Sequence, residues 1–108
     1  MSTNGEAYQL EFTEEYAKEM DKIYHYISKE LHAKESAKQL LERVEDATKK
    51  LKRMPKMYPE AKKYEGTKRA YRKIIIDNFV VLYTIDEGKR KVYIAHIFYS
   101  GSDYINKI

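Results

Sequence analysis

A chain of 108 residues, 43% hydrophobic and 35% charged, has the size and composition of one globular domain, with residues 1–108 read as a single unit. It contains no cysteine, which excludes disulfides, thiol catalysis and thiolate metal sites. No apolar run approaches the roughly 20 residues a membrane-spanning helix needs. The N-terminus lacks the basic-then-apolar order of a signal peptide, so a cytoplasmic protein is expected.

The net charge of +4 hides a sharp division. Met1 to Ala47 holds 6 Lys/Arg and 11 Asp/Glu, whereas Thr48 to Ile108 holds 15 and 6, so the halves carry −5 and +9. A basic second half on an acidic first half points to a polyanion or an acidic partner.

Alternation of Tyr8, Leu10 and Phe12 with Gln9 and Glu11 predicts a first strand over 6–12. Thr13 then suits a helix N-cap, with Glu14 and Glu15 placed where the helix dipole favours negative charge. Tyr16, Met20, Ile23, Tyr24, Ile27 and Leu31 recur at helical spacing. After a break near His32, Ala37, Leu40, Leu41, Val44, Ala47 and Leu51 mark a second amphipathic helix that must stop before Pro55. A short join between the helices implies an antiparallel αα-hairpin.

A basic connection with Pro55 and Pro59 follows, and the period then changes to two. Strands are predicted over 70–76, 79–85 and 92–98, joined by turns at Asp77-Asn78 and Asp86-Glu87-Gly88. A short C-terminal helix over 100–108 would place Tyr104, Ile105 and Ile108 on one side. The expected fold is α+β, in the order β-α-α-β-β-β. The last three strands form an antiparallel meander, the first strand joins its edge, and the helical hairpin covers one face.

Several stretches carry a family resemblance. They are Tyr71-Arg72-Lys73-Ile74, Asn78 to Asp86 with its Tyr83-Thr84-Ile85-Asp86 end, Val92-Tyr93-Ile94-Ala95-His96-Ile97, and Asp103-Tyr104. With Ile23-Tyr24-His25-Tyr26-Ile27 and the Leu51, Pro55, Pro59 segment, they resemble the RelE/ParE superfamily of toxins over nearly the whole chain. The resemblance implies the toxin of a type II toxin–antitoxin (plasmid stabilisation) module, neutralised by a cognate antitoxin. The toxin–antitoxin complex would itself bind operator DNA. It implies one of two activities: ribosome-dependent cleavage of mRNA, or ParE-like poisoning of DNA gyrase without chemistry of its own. A degenerate member that binds only its antitoxin is the remaining alternative.

Metal-independent RNA cleavage needs a base for the 2′-hydroxyl, an acid for the leaving oxygen, and cations for the developing phosphorane charge. The resemblance makes Arg72 a candidate phosphate contact. His96, Tyr99 and Tyr104 are candidate proton carriers or base-stacking groups. Ile74, Val80, Ser100 and Ser102 stand at or near positions where relatives carry basic residues. Eleven cations in residues 49–73, interleaved with Tyr58, Tyr64 and Tyr71, give candidate nucleic-acid contacts at Lys62, Lys63, Lys68, Arg69, Arg72 and Lys73. His25, His32 and His96 do not have metal-ligand spacing, and neither a metal nor a cofactor is expected.

Overall fold

The computed structural model describes residues 7–61 and 70–101. Strand β1 (Gln9–Phe12) leads into helix α1 (Glu14–His25), which continues through a π-helical turn, Tyr26–Glu30. Helix α2 (Lys34–Lys49) ends in a 3-10 turn, Lys50–Lys52. Strands β2 (Arg72–Ile76), β3 (Phe79–Asp86) and β4 (Lys91–Tyr99) follow. The expected C-terminal helix lies outside the described residues.

The antiparallel meander is present: β2 pairs with β3 and β3 with β4. The sheet as a whole, in the order β1-β4-β3-β2, is mixed, because β1 runs parallel to β4. That orientation, absent from the sequence expectation, follows from the connections. Helix α1 continues in the direction of β1, so that Glu19 reaches Ile97 far along β4. Helix α2 then returns the chain, and the Tyr8 N–H donates to the Lys52 carbonyl at 2.7 Å. β2 therefore starts from the end where β1 started. Two reversals later, β4 runs the same way as β1.

Thr13 caps α1: its hydroxyl accepts the Tyr16 N–H at 3.1 Å and donates to the Ala95 carbonyl at 2.9 Å. The cap thus fixes the helix start and fastens it to β4. The buried sides of the hairpin, including Tyr16, Met20, Leu40, Val44 and Leu51, pack against Ile74, Ile76, Val81, Tyr83, Val92, Ile94 and Ile97. Leu31 was expected to close the α1 stripe, yet it is 54% exposed. The π turn has i to i+5 bonding (Leu31 N–H to Tyr26 carbonyl, 3.1 Å), which unwinds the helix and rotates its end away from the core. His32 follows in the left-handed region, at φ 51°.

The basic connection is pinned from both sides. Tyr83 donates its hydroxyl to the Pro55 carbonyl at 2.7 Å, and burial pushes that phenol up to about 12. The Lys73 N–H and the Tyr71 carbonyl bond Pro59 and Ala61, adding a short bridge outside β2. The Lys56 ammonium lies 2.9 Å from Glu87, and Tyr8 donates to the same carboxylate at 2.8 Å. These two partners hold the Glu87 carboxyl below its usual range.

Candidate functional site

The hairpin covers one face of the sheet, and among the described residues no helix packs on the other, the open face. On the open face Val80, Leu82 and Phe98 form a second, smaller cluster with Ala61 and Tyr71. Beside it lies a groove of about 560 Å³, lined by Thr13, Ala70, Thr84, Asp86, Tyr93 and Ala95 among others.

A β-bulge decides which side chains reach this face. The pairing of β3 with β4 slips between Leu82↔His96 and Tyr83↔Ile94, leaving Ala95 without a partner on β3. Before the slip Val92 and Ile94 face the helices; after it Ile97 does, while Phe98 joins the open-face cluster. Without the extra residue His96 would follow Ile94 into the main core. The bulge turns its ring to the open face instead.

There the His96 ring stacks on Phe98, with centroids 5.2 Å apart and planes at 17°, and meets the Tyr71 ring at 6.1 Å. Its Nδ1 lies 3.0 and 3.2 Å from the two carboxylate oxygens of Glu19. Glu19 also accepts the Ile97 N–H at 3.0 Å. Only 13% of the His96 side chain and 24% of the Glu19 side chain is exposed. A partly enclosed imidazole held by a carboxylate can move a proton while keeping its orientation.

The other candidates fall in different places. Neighbouring residues of a strand point to opposite faces, and this separates Arg72 from Lys73. Lys73 shares the open side with Tyr71, whereas Arg72 turns to the helix side. Its guanidinium donates to the Tyr58 carbonyl at 2.6 Å and the Lys56 carbonyl at 3.4 Å, and lies 3.7 Å from Glu60. These contacts clamp the basic connection to β2. Tyr99 is 55% exposed and lies beyond the bulge on the helix side, edge-on to Phe79 at 6.0 Å. It lines a second, apolar groove of about 480 Å³ with Ile23, Tyr26, Ile27, Leu31 and Phe79. His96 and Tyr99 are therefore not brought together. Ile74 and Val80 are core residues, 2% and 1% exposed. Tyr104, Ser102, Lys62, Lys63, Lys68 and Arg69 lie outside the described residues, although Ala61 and Ala70, which bracket 62–69, both border the open face. Among the described residues no group of His, Asp and Glu could hold a metal ion, and no helix is long and apolar enough to cross a membrane.

Sequence reasoning missed Glu19. The one signal was its place beside the apolar stripe of α1, next to Met20, and no pattern in the sequence pairs residues 77 positions apart.

A β-α-α-β-β-β chain with a mixed sheet open on one face defines the small toxin fold shared by ParE and RelE. The chain belongs to the family described as the ParE toxin of type II toxin–antitoxin systems, whose model matches residues 10–104. No curated protein matches the chain. Among solved structures, the chromosomal ParDE toxin–antitoxin system of P. aeruginosa superposes with a TM-score of 0.64 at 19% identity, over 85% of this chain and 95% of that one. A mutant of the E. coli toxin RelE in the free state gives 0.61 at 18%, over 94% and 92%. The archaeal RelE–RelB complex from Pyrococcus horikoshii OT3 gives 0.56 at 14%, over 88% and 97%. At these identities the likeness is one of fold.

Proposed function

We propose that this type II toxin acts on RNA at the ribosome, cleaving mRNA, with the open sheet face as its working surface and a cognate antitoxin as its inhibitor. The observation that carries this reading is the location of His96. A carboxylate-held imidazole stands on the face that Lys73 shares and that Ala61 and Ala70 border, the two described residues between which the sequence carries Lys62, Lys63, Lys68 and Arg69. Tyr93 lines the groove and Tyr71 packs in the neighbouring cluster, and such rings suit a splayed base, while Lys73 on the same side suits a phosphate.

In the reaction His96 Nε2 takes the proton of a 2′-hydroxyl as its oxygen attacks the adjacent phosphorus. The bond from phosphorus to the 5′-oxygen breaks, and that oxygen takes a proton from water. The products are a 2′,3′-cyclic phosphate and a 5′-hydroxyl end. The lysines offset the charge that builds on the phosphorane. Tyr104 stacks on or protonates the substrate from the C-terminal segment, and Arg72 acts by holding the connection that carries the cations. Tyr99, on the other side of the sheet, belongs with the apolar groove that an antitoxin segment covers.

One observation favours the second reading, a ParE-like gyrase poison. Ile74 is buried in the main core, Val80 is buried in the open-face cluster, and Arg72 turns to the helix side and bonds carbonyl groups, so none of these three positions gives the open face a cation. Induced expression without antitoxin separates the two readings, with protein and DNA synthesis pulse-labelled in parallel. Early loss of translation, relieved by His96→Ala, is the expected result. Early loss of DNA synthesis with continuing translation transfers the toxin to gyrase, and unimpaired growth makes it a degenerate member.

A further inference from the structure

The sheet edge beyond β1 presents a problem that the chain solves with side chains. β1 ends at Phe12, opposite Ile94, so beyond Ala95 β4 keeps β3 on one side and has no strand on the other among the described residues. The Thr13 hydroxyl donates to the Ala95 carbonyl, and Glu19 Oε1 accepts the Ile97 N–H at 3.0 Å. The edge thus fixes the carboxylate for a reason independent of His96, and its other oxygen, Oε2, is left 3.0 Å from His96 Nδ1.

We infer that Glu19 is a positioning residue that holds His96 as the tautomer protonated on Nδ1, leaving the lone pair on Nε2 for the open face. A carboxylate only accepts hydrogen bonds, so a neutral imidazole facing it must present an N–H. In this ring that nitrogen is Nδ1, and Nε2, on the far side, has no hydrogen-bond partner among the described residues. Phe98 and Tyr71 restrict the ring's rotation. A base whose proton-accepting nitrogen is preset needs no rearrangement when the substrate arrives, the same logic by which a buried carboxylate orients the histidine of a hydrolase triad. The catalytic consequence rests on the RNA-cleaving reading; the tautomer does not.

Glu19→Gln tests the inference sharply. The Ile97 N–H still demands an oxygen, so the Gln carbonyl takes the place of Oε1 and its amide NH₂ takes that of Oε2. An NH₂ donates, so Nδ1 must accept, and the proton moves to Nε2. Two-bond ¹⁵N–¹H correlation spectra of the full chain at neutral pH read this directly. The expected wild-type pattern is protonated Nδ1, and the expected Glu19→Gln pattern is protonated Nε2. A wild-type spectrum showing Nδ1 unprotonated overturns the inference without any variant, so a poorly folding variant cannot shelter it. In ribosome-dependent cleavage, Glu19→Gln should lower kcat about 100-fold with KM little changed, the lower end of what general base catalysis supplies. Glu19→Gln combined with His96→Ala should be no slower than His96→Ala alone. Unchanged cleavage by Glu19→Gln contradicts the positioning role. If the wild type cleaves no RNA, the proposed function fails, while the tautomer spectra still decide the role of Glu19.

Discussion

The two faces of this sheet are made by the same strands under opposite demands. On the helix side, Ile74, Ile76, Val81, Tyr83, Val92, Ile94 and Ile97 form a continuous apolar surface sealed by α1 and α2. On the open side the buried apolar cluster shrinks to Ala61, Val80, Leu82 and Phe98, and Thr84, Asp86, Tyr93 and the exposed Ile75 are among the groups in the remaining places. In a domain of this size nearly all burial must come from one core. The covered face therefore supplies stability, and the open face is where the chain can hold a partly enclosed histidine, a carboxylate and a groove. One inserted residue, Ala95, shifts the alternation of β4 by one position, so that Ile97 faces the helices and His96 the open side.

The strongest test of the division is a matched pair. Ile94→Ala, in the covered core, should cost about 3 kcal/mol of stability, because a fully buried side chain leaves a cavity behind. His96→Ala should lower the melting temperature far less and abolish toxicity; urea unfolding alongside growth assays reads both. Arg72→Ala should rank next. It removes charge-assisted bonds to the Tyr58 and Lys56 carbonyls and should cost about 1.5–3 kcal/mol. Lys73→Ala should leave stability almost unchanged and weaken RNA binding with a reduced salt dependence. Equal stability losses for Arg72→Ala and Lys73→Ala would break the assignment of these neighbours to opposite faces.

Smaller effects sharpen the account of the covered side. Tyr83→Phe should cost about 1 kcal/mol by orphaning the Pro55 carbonyl. The raised Tyr83 pKa also has a definite sign. The folded state keeps the phenol protonated up to about 12, whereas an unfolded tyrosine ionises near 10. Its contribution is therefore fully present below pH 10 and is lost as pH rises toward 12; alkaline denaturation of Tyr83→Phe should lack that component. Smallest, His32→Gly should stabilise by up to about 1 kcal/mol, since a β-carbon at φ 51° is strained and His32 is exposed. Thermal melts check it.

How much of this was legible in the sequence depends on the range of the interaction. The helices, the Thr13 cap and the meander follow from local periodicity and capping chemistry, and each appears close to its expected bounds. The parallel placement of β1 depends on the direction of α1, which a hydrophobic stripe does not reveal. The π turn that exposes Leu31 leaves the apolar spacing unchanged, so periodicity could not show it. Arg72 and Lys73 looked equivalent as cations, although strand alternation alone was enough to separate them. His96 was visible as a chemical group. Its orientation depended on a one-residue slip and on a carboxylate from a distant helix, and neither leaves a pattern in the sequence.

The central claim is that the open face carries out chemistry on RNA. Purified toxin added to ribosomes translating a defined message tests it most directly, with the 3′ ends of the fragments analysed for cyclic phosphate. The account predicts codon-positioned cuts ending in 2′,3′-cyclic phosphate, present with wild type and absent with His96→Ala. Intact message alongside gyrase-dependent DNA breaks from the same preparation would contradict it.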